Sequence, residues 1–491
     1  MKKLFILSLT LVICLGVLPC VACNQKNTLS TYEIIASLEN NVVVGSEKVT
    51  FYNDSENAFS EIKFNLFANA FRHGATYSPI ASAYSSQAYY SGESYGEYSI
   101  TSVKGSTGEL AYEICGEDKN VLSVKLEEQL FPGHAVEIYI EYQITLANVI
   151  SRTGITKNTV NLANFYPILC AIENGAFYEC VYYSTGDPYF ASVANYSVEF
   201  TCDSQYTVAS SGELIEKNEQ NGKTTYNYQL KNCRNFAFVL SKEYNVLSKE
   251  CNGVAINYYY YSDKTPEKSL ETAEKALTYF NATFGEYLGN TYSVCQTPFI
   301  QGGMEFSNLV MISDGLEENA YNEVIVHETA HQWWMNAVGN NEIEYGFLDE
   351  SLAEYSVVLF YENHPEYNMN REIMIASARK TFTQYCSIYD KLFDRVDTTM
   401  LRALNEYSSE YEYVNIAYIK GCIMYDDLRQ LVGDQTFFGV LKEYYSQNVN
   451  KIVTPETIVS AFASKNADLE DFFRSYYDGK AVIGLSKREV S

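Results

Sequence analysis

His327-Glu328-Thr329-Ala330-His331, followed after eighteen residues by Glu350, allows this part of the chain only one local arrangement. On an α-helix, positions i and i+4 lie one above the other, so His327 and His331 aim their imidazoles at one point with Glu328 beside them. Glu350 joins them only if the chain turns back, which predicts a helix, a turn and a second helix. Two imidazoles and a carboxylate make three zinc ligands, and a zinc with three protein ligands keeps its fourth tetrahedral position for water. The spacing therefore predicts a hydrolytic centre holding one zinc per chain, the mark of a metallopeptidase.

The rest of the sequence bounds where such a centre works. At 491 residues the chain is long enough for two or three units of roughly 150 residues. Met1-Lys2-Lys3, the apolar run Leu4 to Leu18 and the small residues before Cys23 predict a secretory signal over residues 1–23. The run is shorter than the roughly 20 residues that span a bilayer, and no second long apolar stretch follows, so the remainder is expected to be soluble. Cys20-Val21-Ala22-Cys23, followed by polar Asn24 to Asn27, resembles a bacterial lipoprotein processing site with Cys23 as the lipidated residue. Ordinary cleavage and secretion is the alternative, and either route places the protein outside the cytosol.

A formal charge of −26 argues against nucleic acid and anionic membrane surfaces as partners, because a polyanion demands counter-charge. Membrane contact is expected only through the lipid. Nine cysteines follow Cys23 without disulfide-scaffold or CxxC spacing, so they read as buried thiols. Cys170 and Cys180 could bridge across a hairpin, but no disulfide is assigned. The 44 tyrosines read as strand faces filled by a residue that tolerates half-burial.

From Tyr32 to about Tyr261 the pattern is mostly period two, as in Ala135 to Tyr142, which predicts a β domain over residues 24–262. Gly74 to Tyr98 reads as a long loop within it. The period changes at Thr265-Pro266-Glu267, where a capping Thr and a first-turn Pro precede Leu270, Ala273, Leu277 and Phe280 at helical spacing. A second domain is expected over residues 263–491. Strand-like runs at Tyr292 to Val294 and Leu309 to Ile312 bracket Gly302-Gly303-Met304-Glu305, and helical patterns then continue through Thr454-Pro455-Glu456 to a last helix at Leu469 to Tyr477.

With these motifs placed, the chain resembles the aminopeptidase N family of zinc metallopeptidases, a group that includes the leukotriene hydrolases, over roughly residues 30–480. Four matches in order carry the resemblance: His327 to His331 with Glu350; His331-Gln332-Trp333-Trp334 together with Leu348 to Tyr355; Gly302-Gly303-Met304-Glu305; and Ala417-Tyr418-Ile419-Lys420-Gly421. The resemblance implies an α+β fold, an N-terminal antiparallel saddle-like β domain followed by a thermolysin-like, mainly helical catalytic domain. The chain ends soon after that domain, the short bacterial form without the family's C-terminal helical superhelix, which implies a more open site.

The resemblance also implies roles. His327, His331 and Glu350 would hold zinc, and Glu328 would be the general base, accepting the water's proton and passing it to the leaving amine. Tyr418 would donate a hydrogen bond to the oxyanion, with Tyr411 and Tyr413 as fallbacks. Glu305, flanked by Gly302, Gly303 and Met304, would hold the substrate's α-amino group, which makes peptides with a free N-terminus the expected partners. Asn336 is a candidate for orienting a ligand, Glu354 reads as an ordinary helix carboxylate, and His73, His134 and His364 fall outside the motif. Two departures stand out: Phe306 where the family's exopeptidase motif ends in Asn, and Met335 where the family often has Gly. Three functions compete at this point: a zinc aminopeptidase, an endopeptidase or epoxide-hydrolysing relative, and a non-catalytic surface-binding lipoprotein.

Overall fold

The computed structural model of the chain describes residues 29–484; the signal segment and Cys23 lie outside them. Among the described residues no helix is long and apolar enough to cross a membrane. The N-terminal half is a β domain built on a seven-stranded sheet. Its strands run, in spatial order, Glu213–Gln220, Lys223–Cys233, Ala194–Asp203, Ser30–Glu39, Val42–Tyr52, Ala135–Thr145 and Glu97–Lys104. Burial alternates along Val42–Tyr52 and Ala135–Thr145, as a sheet with one solvated face requires. The sheet is not wholly antiparallel, because Ser30–Glu39 pairs parallel with Ala194–Asp203. The long stretch of sequence between those two strands supplies the crossover that a parallel pair needs.

Two four-stranded sheets, one around Phe59–Asn65 and Val121–Leu130 and the other around Val160–Ala163 and Ala237–Ser241, and a short two-stranded ribbon of Ile172–Glu173 with Ala176–Phe177 complete the β domain. Much of the tyrosine lies inside. Tyr32 stacks on Tyr196 with ring centroids 4.9 Å apart, and Tyr98, Tyr142 and Tyr166 are buried nearby. The nine cysteines among the described residues are free thiols, Cys170 and Cys180 included.

The second domain opens on a five-stranded sheet in the order Asn245–Cys251, Val254–Tyr260, Thr291–Thr297, Leu309–Ser313, Gly303–Phe306. A boundary at 262/263 follows from the change of period, but the sheet begins earlier, at Asn245. Val254–Tyr260 pairs parallel with Thr291–Thr297, so hydrogen bonding assigns both preceding strands to this domain. Thr265 stands at the N-cap of the helix Pro266–Thr283 without a side-chain cap bond, and Asp263 ties the entry instead, accepting from the Thr265 amide and the Ser269 hydroxyl. Helices then dominate, notably Glu318–Ala330, Phe347–Asn363, Arg371–Phe393, Gly421–Val432 and Asp434–Asn448. Thr454 forms a capping box at Pro455–Ala463, and Leu469–Tyr477 is the last helix described.

Arg234 is one of the β-domain residues that tie the two halves together. Buried at 4% exposure, it donates from Nε to the carbonyls of Met335 (2.8 Å) and Asn336 (3.1 Å) and from Nη2 to Lys451 (2.8 Å). A Cβ at Gly339 would lie 2.2 Å from its guanidinium carbon, so only glycine lets the chain pass there.

Candidate active site

His327 lies in the last turn of the helix Glu318–Ala330, and His331 caps its C-terminus. The turn that follows is anchored by the two tryptophans of the motif. Trp333 Nε1 donates to the Gly285 carbonyl at 2.9 Å, and Trp334 Nε1 donates to Ser356 Oγ at 3.1 Å, on the helix Phe347–Asn363 that carries Glu350. Gln332 accepts from the Asn308 amide (2.9 Å) and donates to the Phe306 carbonyl (3.2 Å), which ties the motif to the hairpin bearing Glu305. Gln332-Trp333-Trp334 is thus a positioning segment, each side chain bonded to a different supporting element.

The three predicted ligand atoms converge. His331 Nε2 is 3.1 Å from His327 Nε2, and each is 3.2 Å from Glu350 Oε2. The outer ring nitrogens have their own partners: His327 Nδ1 lies 3.2 Å from Glu354 Oε2, and His331 Nδ1 lies 2.9 Å from the Trp334 carbonyl. A carbonyl only accepts, so His331 carries its proton on Nδ1, and the carboxylate favours the same tautomer in His327. Both Nε2 lone pairs then face a carboxylate oxygen, an arrangement that repels unless a cation sits among them. A tetrahedral zinc with bonds of about 2.0–2.1 Å places neighbouring donors roughly 3.3 Å apart, and this triangle fits.

Glu354 is therefore no ordinary helix carboxylate. It lies four residues after Glu350 on the same helix face, a spacing that could have revealed it as the orienting partner of His327. Asn336 does not reach a ligand side chain. It donates to the His331 carbonyl at 3.4 Å and accepts from Ser307 Oγ at 2.5 Å, shaping the turn. Met335 explains its own departure: its φ of 117° lies where glycine is at ease and a side chain is strained.

Glu328 is 5% exposed, and its Oε2 has no hydrogen-bond partner. Burial pushes its carboxyl up to about 7, against the pull of His327 and His331. A Cβ at Gly303 would stand 2.1 Å from Glu328 Oε1, so the glycine leaves room for the carboxylate. Glu305, on the edge strand Gly303–Phe306, is 3% exposed with Oε1 unpartnered, and burial raises its carboxyl well above the ordinary range. Donor atoms of Glu305, Glu328 and His331 lie within 4.8 Å of one another. Met304 points away from this group, toward Arg152 Nε at 2.9 Å.

Tyr418 sits in a π-helical segment, Val414–Lys420, which the sequence pattern does not reveal. Single-turn π segments re-aim side chains and recur at functional sites. Here Ser351 Oγ donates to the Ala417 carbonyl at 2.7 Å, and a Cβ at Gly421 would meet Ser351 Oγ at 1.8 Å, so the segment packs directly on the Glu350 helix. The Tyr418 hydroxyl donates to Glu350 Oε1, and its ring lies nearly parallel to His327. Of the fallback tyrosines, Tyr411 is 49% exposed, while Tyr413 is buried edge-on to Tyr418. His364 stacks on Phe360, away from the cluster.

A cavity of about 380 Å³ opens onto His327, His331, Glu350, Glu328, Glu305 and Tyr418, and the β domain supplies part of its wall through Arg152, Gly186 and Asp187. Arg152 and Asp187 form a buried ion pair that sequence reasoning missed, since nothing in the local pattern marks either residue. Its carboxylates give the cavity its character: Asp187, Glu305, Glu323, Glu328, Glu350, Glu354 and Glu410.

The model of the peptidase family M1 domain matches residues 268–476. Leukotriene A-4 hydrolase of Xenopus laevis is 25% identical over 225 residues, 43% of this chain and 33% of that protein. Leucine aminopeptidase 2 of Sclerotinia sclerotiorum is 26% identical over 226 residues, 42% of this chain and 33% of that protein. The matched stretch thus spans about a third of the length of these curated relatives. Among solved structures, the M1 zinc metallopeptidase of Deinococcus radiodurans superposes with a TM-score of 0.67 at 16% identity, covering 93% of this chain and 95% of that one. A mutant of that protein bound to a Tyr-Ser-Ala substrate gives a TM-score of 0.66 at 17% identity, with the same coverage. This likeness extends to both halves of the fold.

Proposed function

We propose that this protein is a zinc-dependent aminopeptidase that removes N-terminal residues from peptides with a free α-amine, a reading supported by the match of the peptidase family M1 domain to residues 268–476. The observation that carries the reading is the unpartnered, buried Glu305 Oε1, held close to His331 and Glu328. A buried carboxylate without a partner is costly, and an ammonium group supplies the missing charge and hydrogen bonds.

His327, His331 and Glu350 would hold the zinc, with Glu354 and the Trp334 carbonyl fixing the two imidazoles. Bound zinc supplies a Lewis acid that polarises the scissile carbonyl and lowers the pKa of water. Glu328 takes the proton of the attacking water and delivers it to the leaving nitrogen. A carboxyl raised toward neutrality by burial serves both halves of that transfer. Tyr418 turns its hydroxyl from Glu350 to the developing oxyanion, a contribution of about 3 kcal/mol for one such donor. Glu305 fixes the amine, and with it the bond that is cut.

The test is product analysis. A decapeptide incubated with the zinc-loaded protein should lose residues stepwise from its N-terminus by mass spectrometry, and chelation should abolish the loss until zinc is restored. Internal cleavage as the first event would favour an endopeptidase instead. As to location, the reading retains Cys23 as a lipid anchor outside the cytosol, supported by Cys20 to Asn27. Failure of the full chain to incorporate a labelled fatty acid, with a Cys23→Ser variant as control, would remove that part.

A further inference from the structure

The site has a direction that can be read from its packing. The edge strand runs alongside the motif helix: a side chain at Gly302 would meet Val324 Cγ2 at 3.8 Å, one at Gly303 would meet Glu328, and Glu305 lies by His331. An amine held at Glu305 and a carbonyl held between His331 and His327 send the rest of the peptide toward the Val324 end. There, one turn before His327, stands Glu323, with Glu354 beside His327. Eight residues of helix separate Glu323 from His331, roughly 12 Å along the axis. A long side chain on the second residue, whose α-carbon is about 3.8 Å beyond the first, and the side chain of Glu323 together close that distance.

Glu323 lines the cavity, is half-buried, and its carboxylate makes no hydrogen bond or ion pair. The groups that act on its charge are another carboxylate, Glu354, and the His327 imidazole. Arg152 is the one Lys or Arg in the cavity lining, and Asp187 pairs it. The unpartnered Oε1 of Glu305 and Oε2 of Glu328, both more than nine-tenths buried, fix where the amine and the reacting carbonyl go. What lies past them is a pair of carboxylates, Glu354 shared with His327 Nδ1 and Glu323 with no ion-pair partner.

We propose that Glu323 and Glu354 form a subsite on the leaving-group side of the scissile bond that takes a cationic side chain, making peptides with Lys or Arg as second residue the preferred substrates. The inference rests on the aminopeptidase reading. It also predicts that an acidic second residue is disfavoured, because it brings a third negative charge to a half-buried pair.

Three C-terminally amidated tripeptides, Ala-Lys-Ala, Ala-Leu-Ala and Ala-Glu-Ala, separate the two levels. Release of the first alanine by the zinc-loaded protein should give kcat/KM in the order Lys, Leu, Glu, with Lys above Glu by about tenfold or more, a gap that shrinks with added salt. In Glu323→Gln the Lys-to-Glu ratio should fall toward one, and in Glu323→Lys it should invert. Turnover of all three at equal rates would overturn this subsite and leave the aminopeptidase standing. A Lys preference unchanged in both variants would overturn the assignment to Glu323. No turnover of any of them would overturn the reading on which it rests.

Discussion

Tyr418 is bonded to Glu350 and stacked on His327 at once: its hydroxyl donates to Glu350 Oε1, and its ring lies 5.6 Å from the imidazole centroid at an interplanar angle of 11°. One side chain therefore touches two of the three residues proposed to hold zinc. Replacing the ring by phenylalanine preserves the stacking and removes only the donor. Tyr418→Phe should lower kcat by roughly 10²-fold or more, the cost of one oxyanion donor, with little change in KM. Zinc content measured on the same preparation should stay at one per chain; loss of zinc would mean that the hydroxyl serves the metal site instead.

Glu354 acts through His327. With the carboxylate gone, the imidazole loses the partner that fixes its tautomer, and such partners typically contribute 10- to 100-fold in metal affinity. Glu354→Gln should weaken zinc binding by about that factor in a chelator competition, while the fold, followed by circular dichroism, is unchanged. Unaltered affinity would make the 3.2 Å contact incidental.

Met335 sets two effects against each other. A side chain at φ 117° stores about 1–2 kcal/mol of strain, which glycine would release. The same side chain is 4% exposed, and burying a Met contributes about 1.5–3 kcal/mol before any cavity term. Burial wins, so Met335→Gly should lower stability by about 1 kcal/mol in urea unfolding. A rise in stability would show that strain dominates there.

Glu47 lies in the β domain, 2% exposed, with both carboxylate oxygens unpartnered amid Tyr32, Tyr98 and Tyr142. Burial raises its carboxyl well above the ordinary range. The folded state thus holds this proton more tightly than the unfolded chain does. Stability from the group is full below the unfolded pKa and is lost as pH rises through the folded one. Glu47→Gln should be more stable than the parent at pH 8, and the gap should close toward pH 4. A gap independent of pH would contradict the assignment.

The parts of this site that were legible in the sequence are those set by local geometry. His327 and His331 meet because helical periodicity leaves them little choice, Glu350 joins them from the next helix through the turn that the spacing implies, and Glu305 falls on a strand beside two glycines as its motif implies. What was not legible depends on tertiary contacts. Arg152 and Asp187 reach the cavity from the β domain, and no local pattern announces it. The π segment under Tyr418 exists because Ser351 and Gly421 pack closely, a long-range fit with no periodic signature. The strands Asn245–Cys251 and Val254–Tyr260 carry the alternation of the β domain yet pair into the other sheet, since period two says nothing of which partner a strand chooses.

The most direct test of the central claim asks whether the amine is read. Matched aminoacyl substrates with free and with acetylated α-amines should differ by at least about two orders of magnitude in kcat/KM, consistent with one buried charge pair. Glu305→Gln should erase most of that difference by slowing the free-amine substrate. Equal cleavage of both substrates by the unaltered protein would contradict the aminopeptidase account.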